Sequence, residues 1–278
     1  MILVVGNINY DILFPLERLP GPHEKASCDE AVTGFGGSAA NTAWWLAKLG
    51  VDVSLAGAVG NDALGKDHLE HLRQAGVDID GVLLSDTATG IAVVFSLGRE
   101  KRMVRASGAN MTGKVEPDLL NGIGLVYLSG RDIRLLTDYA ALARDRGITV
   151  ICGTHGFMES GLEDTADGFI LNADEVRTVT GLGDPEEGIR ALDSELAAVT
   201  LPAGGCLVAR GIDVRKIPSP ELDPVDRTGG GDAFAAGFLA GLDKGLDVMK
   251  CGEMGNRLAA EVIMGMGARP EIIIPEDL

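Results

Sequence analysis

The 278-residue sequence predicts an α/β fold: a mostly parallel central sheet with helices on both faces, and a small β-sheet standing off it. Three observations predict this. Apolar strand-like runs alternate with amphipathic stretches of helical period along most of the chain. A hydrophobic content of 46% is enough to fill the core between such layers. Two regions, about residues 8–36 and 87–108, carry β-like runs with no helix between them, so they leave the layered body.

In order, "ILVVG" reads as a buried strand, and "SAANTAWWLAKLG" as a helix stopped at Gly50. "VDVSLAGAVG" is the next strand. "NDALGKDHLEHLRQAG" has an Asn or Asp cap, amphipathic spacing and a closing glycine. "GIAVVFS" and "RMVRAS" flank a polar turn, the pattern of a hairpin in a small antiparallel sheet. "GLVYLSG", "ITVICG" and "DGFILN" read as strands, with helices at "RDIRLLTDYAALARDRG" and "ADEVRTVTG". "AAVTLP", "CLVARG" and "DVRKIP" are short strands before a closing pair of helices. No linker, repeat or low-complexity tract divides the chain, so residues 1–278 are expected to form one domain with the two β-like segments inserted in it.

The charge balance argues against a nucleic-acid partner. Lys plus Arg is 24 against 41 Asp plus Glu, a formal net charge of −17, and no basic cluster is large enough to offset it. The densest basic run, "GREKRMVR", includes Glu100 and reads as a solvated hairpin tip. The N-terminus lacks the basic start and long apolar core of a signal peptide, and no stretch approaches the roughly 18 apolar residues of a membrane span. A cytoplasmic protein with no membrane partner is therefore expected. Cys28, Cys152, Cys206 and Cys251 form no CxxC pair and read as reduced thiols. Cys152 and His155 in "CGTH" lack a second ligand pair for a metal. His68 and His71, one helical turn apart among charged neighbours, read as an exposed face.

The chemistry concentrates in "TGGGDAFAAGF". Gly229, Gly230 and Gly231 precede Asp232, where an apolar helix begins. A helix N-terminus offers unpaired amides and a positive dipole end, which suit an anion. A carboxylate there is unwelcome unless its charge is used, although a plain N-cap role for Asp232 is also physically sound. A second glycine-rich stretch, "GFGGSA", matches G-x-G-x-x-A and opens a helix, which makes a dehydrogenase a rival. That fingerprint should follow the first strand and be answered by an acid ending the second. Here the first strand runs into "GNIN", and Asp52 begins its strand. No Gly-Lys-Ser/Thr P-loop is present.

Together, the separated pieces resemble the ribokinase-like (PfkB) family of carbohydrate kinases over essentially the whole chain. "DRTGGGDAFAAGF" is similar to the C-terminal signature and "GGSAANTA" to the N-terminal one. "GNINYD", "GAVGNDALG" and "NADE" are similar to three further motifs. The resemblance implies a three-layer ribokinase-like fold whose β-like segments form a lid, and an ATP-dependent kinase acting on a sugar or sugar acid. A nucleoside kinase of the same family is the alternative, and a catalytically silent sugar-binding regulator a third reading. It implies that Asp232 is the general base and that Gly229, Gly230 and Gly231 form the anion hole. Asn9, Asp11, Gly36, Gly37 and Asn41 would bind the substrate. Asn172 and Glu175 would organise Mg²⁺ and phosphates, Thr200 and Gly205 the nucleotide loop, and Asn256 the adenine, with a helix-surface amide as the alternative reading of Asn256. Asp226 and Thr228 fall where some members bind a monovalent cation such as K⁺. A homodimer through the lid is a further implication.

Three departures stand out. Pro202 occupies the first glycine position of the nucleotide loop, so either the turn differs or Gly204 supplies the flexibility. Arg227 stands where a small residue is common, placed either to touch phosphate or to face solvent. "VYLSGRD" offers no glutamate for a ribose site. Tyr10, Phe14 and Phe95 are the candidates to stack a nucleoside base, with a structural core role as the alternative.

Overall fold

The computed structural model describes residues 1–97, 100–153, 165–202 and 204–275. In chain order the strands and helices are β1 (Ile2–Gly6), β2 (Asn9–Pro15), β3 (Val32–Gly36), α1 (Ser38–Lys48), β4 (Val53–Gly60), α2 (Ala63–Gln74), β5 (Asp78–Ser85), β6 (Gly90–Leu97) and β7 (Glu100–Ala106). There follow β8 (Leu125–Ser129), α3 (Ile133–Asp145), β9 (Thr149–Cys152), β10 (Gly168–Asn172), α4 (Ala173–Thr180), α5 (Pro185–Ala191), β11 (Leu196–Thr200), β12 (Cys206–Arg210), β13 (Asp213–Ile217), α6 (Gly230–Asp243) and α7 (Val248–Val262).

Nine strands form the main sheet in the order β13-β12-β11-β10-β9-β8-β1-β4-β5. Pairing is parallel from β5 through β11; β12 pairs antiparallel with both β11 and β13, so among the described strands of this sheet it alone runs against the rest. A parallel strand buried on both faces needs apolar residues at every position, with alternate ones serving opposite layers. β1 shows this directly. Ile2 and Val4 pack in a core with residues of α1, α2, α6 and α7, while Leu3 and Val5 pack with residues of α3, α4 and α5. Trp45, Phe234, Phe238 and Tyr139 are fully buried in these two layers, each contributing about 2–3 kcal/mol of apolar burial.

The small sheet has the order β3-β2-β6-β7. It is mixed, not antiparallel as the sequence suggested: β2 and β6 pair in parallel, flanked by antiparallel β3 and β7. The whole α1–β4–α2–β5 passage lies between β2 and β6, so the chain can re-enter the sheet in the same direction. Asp62, which caps α2 through Gly65 N, also accepts from Thr89 N at 2.8 Å and Thr89 Oγ1 at 2.6 Å. It thereby ties the root of β6 to the main body.

One side-chain expectation fails. His68 is fully buried and His71 is packed against rings: His68 stacks on Phe35 of β3 at 4.7 Å, His71 lies tilted against the same ring at 4.7 Å, and His71 also stacks on Trp44 at 6.0 Å. Their helix face is covered by the small sheet, which the local charge pattern does not reveal. The basic run is exposed along all of β7, as expected, although Lys101 also reaches Asp226 and Thr228 and Arg105 lines the cavity described below. All four cysteines are free thiols. His155 lies outside the described residues. Among those residues no group of three or more His, Cys, Asp or Glu could hold a metal, and no helix is long and apolar enough to cross a membrane.

Candidate active site

The parallel strands β1, β8, β10 and β11 end at Gly6, Ser129, Asn172 and Thr200, on one edge of the main sheet. Ligand crevices of open α/β sheets lie off this edge. Here the crevice holds a cavity of about 650 Å³ roofed by the small sheet. Asn9, Asp11, Gly37, Asn41, Asn172, Glu175, Thr200, Thr228, Gly229, Gly231 and Asp232 all line it. Residues from five separated motifs thus converge on one space.

The glycine loop supplies its floor. Gly229 is the N-cap of α6 in the left-handed region, φ 78°. A Cβ there would lie 2.6 Å from Ala268 Cα, so only glycine fits both the conformation and the space. Because Gly229 is the cap, Asp232 sits within the first turn of α6, and a plain N-cap role for it does not hold. Among the described residues the amides of Gly231 and Asp232 have no backbone acceptor, which leaves two donors at a helix N-terminus for an anion. Burial pushes the Asp232 carboxyl up to about 7, against the bond from Asn41 and the charge of Arg269; Asp11 and Glu175 add to the rise. Asn41 Nδ2 donates to Asp232 Oδ2 at 2.7 Å.

The opposite wall comes from β2 and the start of α1. Gly37, φ 93°, brings the chain onto α1 so closely that a Cβ would lie 2.5 Å from Asn7 O. Gly36 ends β3 beside Asp11 and does not line the cavity. Asp11 is pushed up to about 6 by burial, opposed by the charges of Arg269 and Arg105, and its Oδ1 is buried without a hydrogen-bond donor. Asn9 Oδ1 accepts from Asn110 Nδ2 at 2.6 Å, and Asn110 Oδ1 accepts from Ile8 N at 2.8 Å. Asn110 fixes Asn9, a role no motif in the sequence announced.

Asn172 and Glu175 form a capping box on α4: Glu175 N donates to Asn172 Oδ1 and Asn172 N to Glu175 Oε2, both at 2.8 Å. Their spacing is therefore needed by the helix itself, and both side chains still face the cavity. Beyond them lies a second cavity of about 550 Å³ that shares Asn172, Thr200, Arg227 and Gly231 with the first. Gly205, Gly230 and Asn256 line this second space. Asn256 is buried and donates to Ile217 O at 3.2 Å and Pro218 O at 3.3 Å, so it is not a surface amide. In the nucleotide loop the left-handed residue is Gly205, φ 87°, and not Gly204. Arg227 lines both cavities, is exposed, and donates to Pro202 O at 3.3 Å.

Asp226 is buried beneath the glycine loop and accepts from four donors: Lys101 Nζ, Thr228 N, Thr228 Oγ1 and Gly267 N. Burial alone would raise its carboxyl, but the bonds from Lys101 and Thr228 and from the two amides hold it below the usual range. Lys101 Nζ also reaches Thr228 Oγ1 at 2.6 Å. An ammonium from β7 therefore sits at the carboxylate expected to hold a monovalent cation. Arg269, unremarked in the sequence, also reaches this site and bonds Asn41.

Comparison with known proteins places this arrangement. The model of the pfkB family carbohydrate kinases matches residues 1–274. A protein of Halopiger xanaduensis named an ATP-dependent ribose-1-phosphate kinase is 31% identical, over 96% of this chain and 93% of its own. Among solved structures, the adenosine kinase from Sinorhizobium meliloti is 26% identical with a TM-score of 0.85, covering 98% of this chain and 96% of that one. Arabidopsis thaliana ribokinase complexed with ribose and ATP is also 26% identical, with a TM-score of 0.82 over 96% and 93%.

Proposed function

This chain belongs to the pfkB family of carbohydrate kinases and is a phosphotransferase with a hydroxyl acceptor, and from that premise we propose that it transfers the γ-phosphate of ATP to a sugar or sugar acid. Asp232 accepts the proton of the attacking hydroxyl, and the amides of the glycine loop hold the transferred phosphate. Phosphoryl transfer leaves the protein mainly positioning and charge stabilisation to do. A carboxylate raised to about 7 suits a base working near neutral pH. ATP would lie in the second cavity, its adenine against Asn256, Ala259 and Ile263, and its phosphates past Thr200 and Arg227 toward Gly231. Asn172 and Glu175 suit Mg²⁺, which keeps most of its waters and takes few protein ligands. The ion would neutralise phosphate charge between the two cavities. Lys101 supplies the positive charge at Asp226 and Thr228, so no monovalent cation is required. The small sheet acts as the lid over the acceptor.

The observation that carries the acceptor class is the lining of the first cavity. Tyr10 packs edge-on against Phe35 at 6.1 Å, and Phe14 stacks on Phe95 at 6.1 Å, all within the small sheet. None of these rings is among the described residues that line the cavity; Ala92, Val94, Met103, Lys101 and Arg105 are. The small-sheet wall is apolar and cationic and offers no ring to a nucleobase; Tyr127 of β8 also lines the cavity, but it is almost wholly buried in the main sheet. Arg105 and Arg131 would meet the carboxylate or phosphate of an anionic sugar. Asp11, with an acceptor oxygen to spare, suits a sugar hydroxyl. An ADP-release screen over pentoses, hexoses, sugar acids, sugar phosphates and nucleosides tests this. Turnover of sugars, most efficiently anionic ones, is expected; nucleosides alone turning over would refute it.

A further inference from the structure

Behind Asn41 and Asp232 lies a buried network to which no motif or relative assigns a role. The chain after α7 turns back to the site and is held by its backbone. Trp45 Nε1 donates to Ala268 O at 3.0 Å, and Gly267 N to Asp226 Oδ2 at 3.0 Å. This delivers Arg269, whose Nε donates to Asn41 Oδ1 at 2.9 Å. Its Nη2 lies 3.0 Å from His68 Nε2. Burial and the Arg269 charge push the His68 ring well below its usual range, so it stays neutral and accepts. Stacking on Phe35 holds that ring in place.

Two consequences follow from the chemistry of the groups. An asparagine amide can present either its oxygen or its nitrogen to a neighbour. With a guanidinium donor on one side of Asn41, the oxygen must face Arg269, and the NH₂ is left facing Asp232 at 2.7 Å. Asp232 is thus held by a donor whose orientation is set from behind. The second consequence is electrostatic. Asp11 and Asp232 are close enough to disfavour each other's charge, and Arg269 is attractive to both. The other groups bearing on the pair are Glu175 of α4, which repels Asp232, Arg105 of β7, which attracts Asp11, and Tyr127 of β8, which senses Asp232. His68 and His71 of α2 face Arg269 as neutral rings or weak bases.

We propose that Arg269 is a positioning residue for phosphoryl transfer: it locks the Asn41 amide with its nitrogen toward Asp232 and places a buried positive charge beside the two carboxylates. The inference rests on the reading of Asp232 as the base. Arg269 touches neither substrate nor ATP in this account; it acts through Asn41 and through its charge.

The test compares wild type with Arg269→Met and Arg269→Lys, and it has two readouts. The first is titration of ¹³C-labelled aspartate carboxyls by NMR without substrate, with the Asp232 signal assigned by its loss in Asp232→Asn. Arg269→Met should move the Asp232 midpoint upward by at least about one pH unit, the size of a neighbouring-charge effect. Arg269→Lys, which keeps the charge, should leave it near wild type. The second readout is the pH profile of kcat/KM on whichever acceptor turns over. Arg269→Met should shift the acid limb upward by the same amount and lower kcat about tenfold or more. Arg269→Lys should keep the limb and still lose kcat, because an ammonium cannot supply the Nε donor that orients Asn41. KM for ATP should stay constant in both. A folded Arg269→Met protein with an unmoved midpoint overturns the inference. Should Arg269→Met fail to fold, Arg269→Lys decides: wild-type kcat in that variant overturns the orienting role. The NMR titration needs no turnover, so a protein inactive on every acceptor would sink the kinase reading while leaving this inference separately readable.

Discussion

Asp232→Asn should stabilise the fold while abolishing most activity, and the stabilisation should grow with pH. In the folded protein the carboxyl is raised from the ordinary 3.8 to about 7, chiefly by burial. A raised carboxyl favours the protonated form in the folded state, so its ionisation opposes folding. The penalty is absent below about pH 4, grows as pH rises toward 7, and then levels off. Three pH units at 1.36 kcal/mol each give an upper bound of about 4 kcal/mol. Asp232 is only partly buried at the floor of a cavity, and solvent screening brings the expected gain to about 2 kcal/mol. The substitution removes the charge, keeps the shape, and leaves an amide oxygen that can still accept from Asn41. For a chain of this size that gain corresponds to roughly 3–4 °C in Tm. The assay is thermal unfolding of both proteins from pH 4 to pH 8 at fixed ionic strength. Near-equal Tm at pH 4 and a higher Tm for Asp232→Asn at pH 8 are expected. A gap that stays constant with pH, or a less stable variant at pH 8, would refute the claim that this carboxylate is held charged at a cost.

Three further outcomes can be checked with simple variants. Because Lys101 already serves Asp226 and Thr228, wild-type turnover should be the same in K⁺ and in a bulky organic cation, whereas Lys101→Met should become slower and K⁺-responsive. Gly229→Ala should cost about 1–3 kcal/mol and most activity, since φ is 78° and the new Cβ would meet Ala268 at 2.6 Å. Gly231→Ala, with no atom within 4 Å of its Cβ, should fold normally and lose only turnover. If the small sheet closes over the acceptor, amide exchange in residues 8–36 and 87–108 should slow more with acceptor than with ATP alone; equal exchange would mean a static sheet.

What was legible in the sequence is what is local. Alternating strands and helices gave the layers, and the helix stop at Gly50 matches a left-handed residue there. The helix start at the glycines before Asp232 is legible because a helix N-terminus is built from adjacent residues. β5 and α5 carry weak local patterns: β5 is an edge strand carrying Asp78 and Asp80, and α5 spans only seven residues. Both are held by tertiary packing more than by pattern. The burial of His68 is not local, because its cover, Phe35, comes from another element. Lys101, Asn110 and Arg269 reach the site across 125, 101 and 228 residues of chain. No spacing rule over a local window could have joined them to it.

The central claim is that Asp232 takes a proton from a sugar hydroxyl as that hydroxyl attacks ATP. The most direct measurement is a single-turnover experiment at pH 8 with γ-³²P-labelled ATP and the best acceptor from the screen, following label into the acceptor by rapid quench. Wild type should transfer the label to the sugar. Asp232→Asn should bind ATP with unchanged affinity and transfer the label at least about 10²-fold more slowly, the lower end of general-base effects. A folded Asp232→Asn protein that transfers label at the wild-type rate would contradict the account.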